Sequence, residues 1–135
     1  MKNTIVSLLS LAAATLASQA DIKLPAIFSD HMVLQRDAKV PVWGWADPGE
    51  KITVSIAGQE AGTTTDKNGR WHVDLEPMIP GQTHILTVKG KNTVTAQDVL
   101  IGDVWLGSGQ SNMAMRVASS NDYDKEKQEA NHPGI

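Results

Sequence analysis

The chain has 135 residues, a formal net charge of −3 and no cysteine. This length suits one modest domain rather than two, and without cysteine these residues form no disulfide and carry no lipid anchor on a thiol. A mildly acidic chain without a basic patch is not expected to bind nucleic acid or an anionic membrane surface, whereas a neutral or sugar ligand is compatible with it.

Residues 1–20 have the pattern of a secretory signal peptide. Lys2 precedes an uncharged, mostly apolar run over 5–17, and small residues at 18–20 predict cleavage after Ala20. The run is too short to span a bilayer, and its position at the start of the chain disfavours the alternative of a short buried helix. We therefore expect a secreted or periplasmic protein whose mature form has no membrane span.

Residues 21–98 are predicted to form a β-sandwich. Apolar and polar residues alternate over 52–56 and 71–75, which is typical of half-buried antiparallel strands. About eight short strands separated by turn motifs indicate a sandwich, and no stretch has sustained helical periodicity. The further strands are predicted at 26–34, 39–45, 60–65, 84–89 and 93–99. Asn68-Gly69, in the turn over 66–69, is the sharpest hairpin signal.

Three tryptophans in this region have two possible roles. Trp43, Trp45 and Trp71 could form a platform on which a pyranose ring stacks. Large aromatic side chains in a small sandwich are more often core residues, and the core interpretation is favoured here. It is supported by Val40 and Val42, which are offset from Trp43 and Trp45 and so predict a strand buried on both faces.

The histidines do not predict a metal site. His31, His72, His84 and His132 lack the spacing of zinc ligands and have no cysteine beside them, so neither metal nor other cofactor is expected. Each is interpreted as a surface or turn residue rather than as a catalytic base.

The stretch from Val99 to Met113 predicts a strand, a turn and a helix. Residues 99–106 are nearly continuously apolar, as in a strand buried on both faces of a parallel sheet, and small residues follow at 107–109. The residues from Asn112 to Val117 are of types that can start a helix. Ser111 at this corner is either a nucleophile beside helix N–H groups that bind an oxyanion, or part of a polar turn that caps the helix. The Gly-x-Ser-x-Gly elbow is not matched, because Met113 replaces its second glycine.

Two blocks of this sequence resemble a known family. The segments VWL at 104–106 and SGQSNM at 108–113 closely resemble the nucleophile block of sialate O-acetylesterases and related carbohydrate acetylesterases of the SGNH hydrolase group. Upstream, LPAIFSDHMVLQR at 24–36 and VWGWA at 42–46 are similar to the N-terminal module of that family. The resemblance extends over nearly all of the mature chain and places it at the family's N-terminal portion.

The resemblance implies a site and a mechanism. Ser111 would be the nucleophile and its backbone N–H one oxyanion donor, with Gly109, Gln110 and Asn112 as supporting residues of the motif. The substrate would be an acetylated sugar or glycan, deacetylated through an acetyl-enzyme. In the family, a glycine and an asparagine complete the oxyanion hole, and an Asp-x-x-His pair supplies the base. None of these positions occurs in the 135 residues, so we expect the chain alone to be inactive.

The resemblance also implies how the chain is organised. We expect a signal peptide over 1–20, the β-sandwich module over 21–98, and the truncated start of an α/β hydrolase domain over 99–135. The polar run over 122–131 is predicted to be a solvated helix or loop that Pro133 stops. The alternative function is a non-catalytic β-sandwich that binds carbohydrate or serves in assembly. The sequence does not indicate an oligomeric state.

Overall fold

The structure, a computed structural model, describes residues 21–131. The predicted signal peptide, His132 and Pro133 lie outside these residues. The described chain consists of two units, the first ending at Asp103 and the second beginning at Val104.

Seven strands lie in the first unit, and most agree with the predicted ones. Five of them form one sheet in the order β1-β7-β6-β3-β4, and the other two form a β2-β5 pair. All neighbours are antiparallel except β1 and β7, which are parallel. The predicted mainly β class is confirmed. The strands are β1 (Val33–Gln35), β2 (Val40–Trp45), β3 (Lys51–Ile56), β4 (Gln59–Thr64), β5 (Arg70–Leu75), β6 (His84–Lys89) and β7 (Thr93–Gly102).

Both sheets contribute to one hydrophobic core. Alternate residues of β3 and β5 are buried, as the period of two predicts, because successive side chains of a strand point to opposite faces. Removing these side chains from water stabilises the unit by about 1.5–3 kcal/mol for each fully buried large one. The fully buried side chains are Val42, Ile52, Val54, Leu75, Leu86, Val88 and Val99.

The first predicted strand, 26–34, is shorter in the structure, where β1 covers only 33–35. The Phe28 N–H donates to the Pro25 carbonyl over 3.0 Å and closes a turn. His31 then adopts a positive φ of 63°. These two features keep residues 26–32 out of an extended conformation, although their apolar content resembles that of a strand.

The prediction of a hairpin at Asn68-Gly69 was wrong, because the strands on either side of this turn do not pair with each other. The turn is tight, with Gly69 N–H bonded to the Asp66 carbonyl over 2.9 Å. However, β4 pairs with β3 and β5 pairs with β2, so the turn connects the two sheets instead of two paired strands. The true two-residue hairpin joins β3 to β4 through Ala57 and Gly58, both at positive φ. This is the backbone that a hairpin turn between right-twisted strands requires.

The second unit contains short helices. Two 3₁₀ helices, η1 (Ser111–Ala114) and η2 (Val117–Ser119), precede α1 (Tyr123–Glu129). The α1 helix lies within the polar run over 122–131, for which a solvated helix or loop was predicted. Where a helix was expected to start, within 112–117, the structure has η1 and η2, which are separated by two residues in extended backbone.

The apolar stretch over 99–106 also differs from the expected strand buried on both faces. Val99 and Ile101 are buried in β7, while Leu100 between them is 39% exposed. The strand ends at Gly102, and the segment VWL that follows lies outside the strands of the described chain. A strand is held by neighbours that satisfy its N–H and C=O groups, so apolar content alone does not form one.

Candidate active site

Ser111 begins helix η1, and the last residue of β7 before it is Gly102. The connecting segment 103–109 has no regular secondary structure, and all of its residues are exposed. Ser111 itself is exposed, as are Gly109, Gln110 and Asn112. The structure therefore places the four motif residues together on an accessible turn.

The hydrogen bonds of this turn leave two backbone donors at its start. Met113 N–H donates to the Gln110 carbonyl over 3.0 Å, which closes the first turn. The N–H groups of Ser111 and Asn112 have no acceptor among residues 21–131. Unpaired N–H groups at the beginning of a helical turn are the kind of donor that stabilises an oxyanion. The Ser111 N–H is thus suited to the role that the motif implies.

Gly107 and Gly109, which precede Ser111, make room for Met113. A Cβ at Gly109 would lie 2.9 Å from Met113 Cγ, and one at Gly107 would lie 3.1 Å from Met113 Cε. The methionine side chain therefore folds back over the 107–109 segment. This contact gives a physical reason for small residues on the N-terminal side of the serine.

The end of β7 is fixed by Arg36, a residue to which the sequence analysis assigned no role. Arg36 N–H donates to the Gly102 carbonyl over 2.9 Å, and Arg36 Nε donates to Asp103 Oδ1 over 3.0 Å. The hydrogen bond and charge of Asp103 raise the pKa of Arg36. Arg36 thus holds the residues from which the nucleophile segment departs. Its position in the resembling block 24–36 was the available signal.

The histidines of the described chain all lie in the first unit. His31 Nδ1 is 2.6 Å from Asp98 Oδ2, and His72 Nε2 is 3.3 Å from Asp74 Oδ1. His72 lies on β5 and His84 on β6, as predicted. No histidine occurs between Val104 and Asn131. The segment that carries Ser111 therefore brings no imidazole of its own to the hydroxyl.

Within residues 21–131, no three His, Asp or Glu side chains are grouped so that they could hold a metal ion. Among the helices of the same residues, none has the length and apolar character needed to cross a membrane.

Trp43, Trp45 and Trp71 differ in how deeply they are buried. Trp71 is 3% exposed and belongs to the core, as the core interpretation expects. Trp43 is partly buried and packs edge-on against Phe28, with ring centroids 4.9 Å apart. Trp45 is 44% exposed. The expectation that β2 is buried on both faces was wrong, because Val40 and Val42 face the core while Trp45 faces solvent.

Comparisons with known proteins find similarity to sialate O-acetylesterases. No family model matches the chain. Mouse sialate O-acetylesterase is 33% identical over 133 residues, which cover 90% of this chain and 25% of the mouse protein. The human sialate O-acetylesterase is 42% identical over 101 residues, which cover 66% of this chain and 19% of the human protein.

A solved structure resembles the fold as well. The crystal structure of a carbohydrate acetylesterase from Xanthomonas citri matches with a TM-score of 0.72 and 39% identity, over 83% of this chain and 26% of that one. The chain is related to the sialate and carbohydrate O-acetylesterases. It spans about a quarter of the length of the mouse relative and of the solved acetylesterase.

Proposed function

We propose that this chain is part of a secreted serine esterase that removes O-acetyl groups from sialic acid or a related sugar, with Ser111 as the nucleophile. The observation that carries the proposal is the exposed Ser111 at the start of η1, whose backbone N–H is unpaired among residues 21–131. The relationship to sialate and carbohydrate acetylesterases supports the reaction class.

The chemistry follows from the position of the serine. Ser111 Oγ attacks the acetyl carbonyl carbon while a base takes the hydroxyl proton, and the carbonyl oxygen becomes an oxyanion to which the Ser111 N–H donates. The intermediate collapses, the sugar hydroxyl leaves with the proton held by the base, and an acetyl-enzyme remains. Water then attacks the acetyl carbonyl carbon while the base takes a proton from the water. The bond to Ser111 Oγ breaks, the base returns the proton to this oxygen, and acetate is released.

The base is the part of this mechanism that the 135 residues lack. A serine is a weak nucleophile until an adjacent group accepts its proton. The resemblance implies an Asp-x-x-His pair for this purpose, and no such sequence occurs in the 135 residues. We therefore expect rapid turnover only from the protein that contains that pair, and little or no Ser111-dependent turnover from the 135 residues alone.

The proposal also concerns the surroundings of the serine. Trp105 and Leu106 are 89% and 92% exposed, which is unfavourable for large apolar side chains next to each other. We propose that they belong to the first strand of an SGNH-type α/β hydrolase domain and are covered by its other strands and helices. The two sheets before them would form the β-sandwich module, and residues 1–20 would direct export.

The test uses the full-length esterase and two serine variants. Ser111→Ala should lower kcat/KM for an aryl acetate and for an acetylated sugar by about a thousandfold or more, because the nucleophile is lost. Ser119→Ala, an exposed serine in η2, is the matched control and should retain the wild-type rate. A short incubation with the aryl acetate followed by peptide mass spectrometry should find the acetyl group on Ser111.

The proposal would be overturned by a Ser111→Ala enzyme with wild-type activity. Acetyl transfer to another residue would also contradict it. A separate measurement addresses the base: the 135-residue chain and its Ser111→Ala variant should give equal rates, and a serine-dependent rate would mean that one of the four histidines present acts as the base.

A further inference from the structure

An open cavity of about 440 Å³ lies in the first unit and involves no residue of the nucleophile segment. Strands β2, β4 and β5 and the 66–69 turn contribute its walls. Its volume is within the range of small-molecule sites, and its mixture of aromatic and polar walls is typical of them. The side chains that matter for its chemistry are Trp43, Trp45, Asp66, Arg70 and His72.

Two indole rings share one face of β2 at this cavity. Trp43 and Trp45 are two residues apart, so both point away from the core face that Val42 occupies. The edge-on contact of Trp43 with Phe28 fixes its ring. Trp45 exposes almost half of its surface in a unit that buries most of its large apolar side chains. A fixed ring beside an exposed one offers the flat apolar surface on which the C–H face of a pyranose stacks.

Polar side chains lie directly across the strand pair from these rings. The register places His72 opposite Trp43 and Arg70 opposite Trp45. Arg70 Nε donates to Asp66 Oδ2 over 3.3 Å, so the positive charge of the cavity is balanced by a carboxylate. Such groups can donate to and accept from sugar hydroxyls. Because their charges are balanced, they favour a neutral sugar over one that carries a carboxylate.

Trp71, which pairs with Gly44, lies on the core face of the strand pair, opposite to the face of Trp43 and Trp45. Trp71 lines the cavity and is 3% exposed, yet its Nε1–H has no hydrogen-bond partner among residues 21–131. Gly44 lies opposite Trp71 on β2. A Cβ at Gly44 would lie 2.8 Å from Trp71 Cζ2, so the glycine leaves room for the indole ring. Because this Nε1–H has practically no accessible surface, it belongs to the core and not to the binding surface.

We propose that this cavity is a carbohydrate-binding site for one pyranose unit of a neutral oligosaccharide. The site stacks the ring on Trp45 beside Trp43 and hydrogen-bonds its hydroxyls through Arg70, Asp66 and His72. It does not depend on Ser111, so the β unit binds the glycan whether or not the esterase reaction proposed above takes place.

The experiment is calorimetric titration of the 135-residue chain with xylohexaose, cellohexaose and chitohexaose as neutral probes and sialyllactose as an anionic one. At least one neutral probe should bind saturably and more tightly than sialyllactose. Trp45→Ala should weaken this binding about tenfold, since it removes the stacking surface, whereas Trp45→Tyr should stay within about threefold of wild type. His72→Ala, a second exposed position, should weaken it by about threefold.

Two controls test whether the binding depends on this cavity. Trp105→Ala removes an exposed tryptophan outside the cavity and should leave the affinity unchanged, and circular dichroism establishes that Trp45→Ala is folded. Ser111→Ala should bind as the wild type does, which distinguishes failure of this site from failure of the esterase mechanism. The proposal is overturned by absence of saturable binding to all three neutral probes. Preference for sialyllactose, or an equal loss in Trp105→Ala and Trp45→Ala, overturns it as well.

Discussion

Similar apolar residues are mostly buried in the first unit of this chain and exposed in the second. Every buried apolar residue of the described chain lies between Ile22 and Ile101, and no residue from Val104 to Asn131 is buried. Yet Val104, Trp105 and Leu106 are as apolar as the buried side chains of β3 or β5. The first unit has paired strands and an opposing apolar face, and the described part of the second has neither. Hydrophobicity becomes stability only where the chain supplies a partner surface.

The largest expected contrast comes from one substitution made in each unit. Leu75 is fully buried and Leu106 is 92% exposed. In the 135-residue chain, Leu75→Ala should lower the free energy of unfolding by about 2–5 kcal/mol, because it removes packed methyl groups and leaves a cavity. Leu106→Ala should change it by less than about 0.5 kcal/mol. Urea denaturation followed by circular dichroism measures both.

If Leu75→Ala and Leu106→Ala lowered the free energy of unfolding equally, the contrast between a packed first unit and an exposed second one would be contradicted. The same two substitutions can be made in the full-length esterase. If other parts of the hydrolase domain cover Leu106, as proposed, its substitution should become destabilising there while the effect of Leu75→Ala stays similar.

Two glycines test how closely the backbone of the first unit is packed. Gly49 and Gly69 have nearly equal positive φ values of 76° and 74°. A Cβ at Gly49 meets nothing within 4 Å, whereas one at Gly69 collides with the carbonyl oxygen of Ala46. Gly49→Ala should cost about 1–2 kcal/mol from the backbone conformation alone, and Gly69→Ala about 2–4 kcal/mol because the collision is added.

Thermal unfolding of the two glycine variants measures this difference directly. The matched φ values make Gly49→Ala the control for backbone strain. A Gly69→Ala variant as stable as Gly49→Ala would show that the turn between the two sheets relaxes away from Ala46, contrary to the close approach described.

The smallest effect concerns the charge of Asp66 in the same turn. The N–H of Arg70, and to a lesser degree that of Asn68, donates to Asp66 Oδ1 and lowers the pKa of this carboxyl. The folded state therefore favours the ionised form. Its contribution to stability is present above the ordinary aspartate pKa of about 3.9 and is lost as the pH falls through the lowered value.

Asp66→Asn should accordingly lower Tm slightly at pH 7, and the difference from wild type should vanish in acid. Asp124→Asn, an equal change of charge in α1 of the second unit, is the control for net charge. A Tm difference for Asp66→Asn that persists unchanged from pH 7 to below about pH 3 would mean that the geometry of the turn, rather than the carboxylate charge, is responsible.

The sequence predicted local features well and pairings poorly. Alternation located β3 and β5, and the predicted strands at 84–89 and 39–45 agree closely with β6 and β2. The turn at Asn68-Gly69 was found, but not its partners, because a turn motif specifies the local backbone and not which strands lie beside it. The β3–β4 hairpin was not predicted, because Ala57-Gly58 lacks the Asn or Asp that usually marks such a turn.

The candidate site shows the same limit. The residues from Gly109 to Asn112 could be singled out by their motif, because a nucleophile block is local in sequence. The hold of Arg36 on Asp103 and the grouping of Trp45, Arg70 and Trp71 around one cavity could not be. These contacts join residues far apart in the chain, and only the sheet register brings them together.

By itself, then, the sequence determined the mainly β class, the positions of most strands and the identity of the serine turn, since periodicity, turn chemistry and short motifs are properties of neighbouring residues. The tertiary structure decided which strands pair, that β7 ends at Gly102, and that Trp71 is buried while Trp45 is exposed. The physical reason is that burial and pairing depend on partner surfaces, which are assembled from residues distant in sequence.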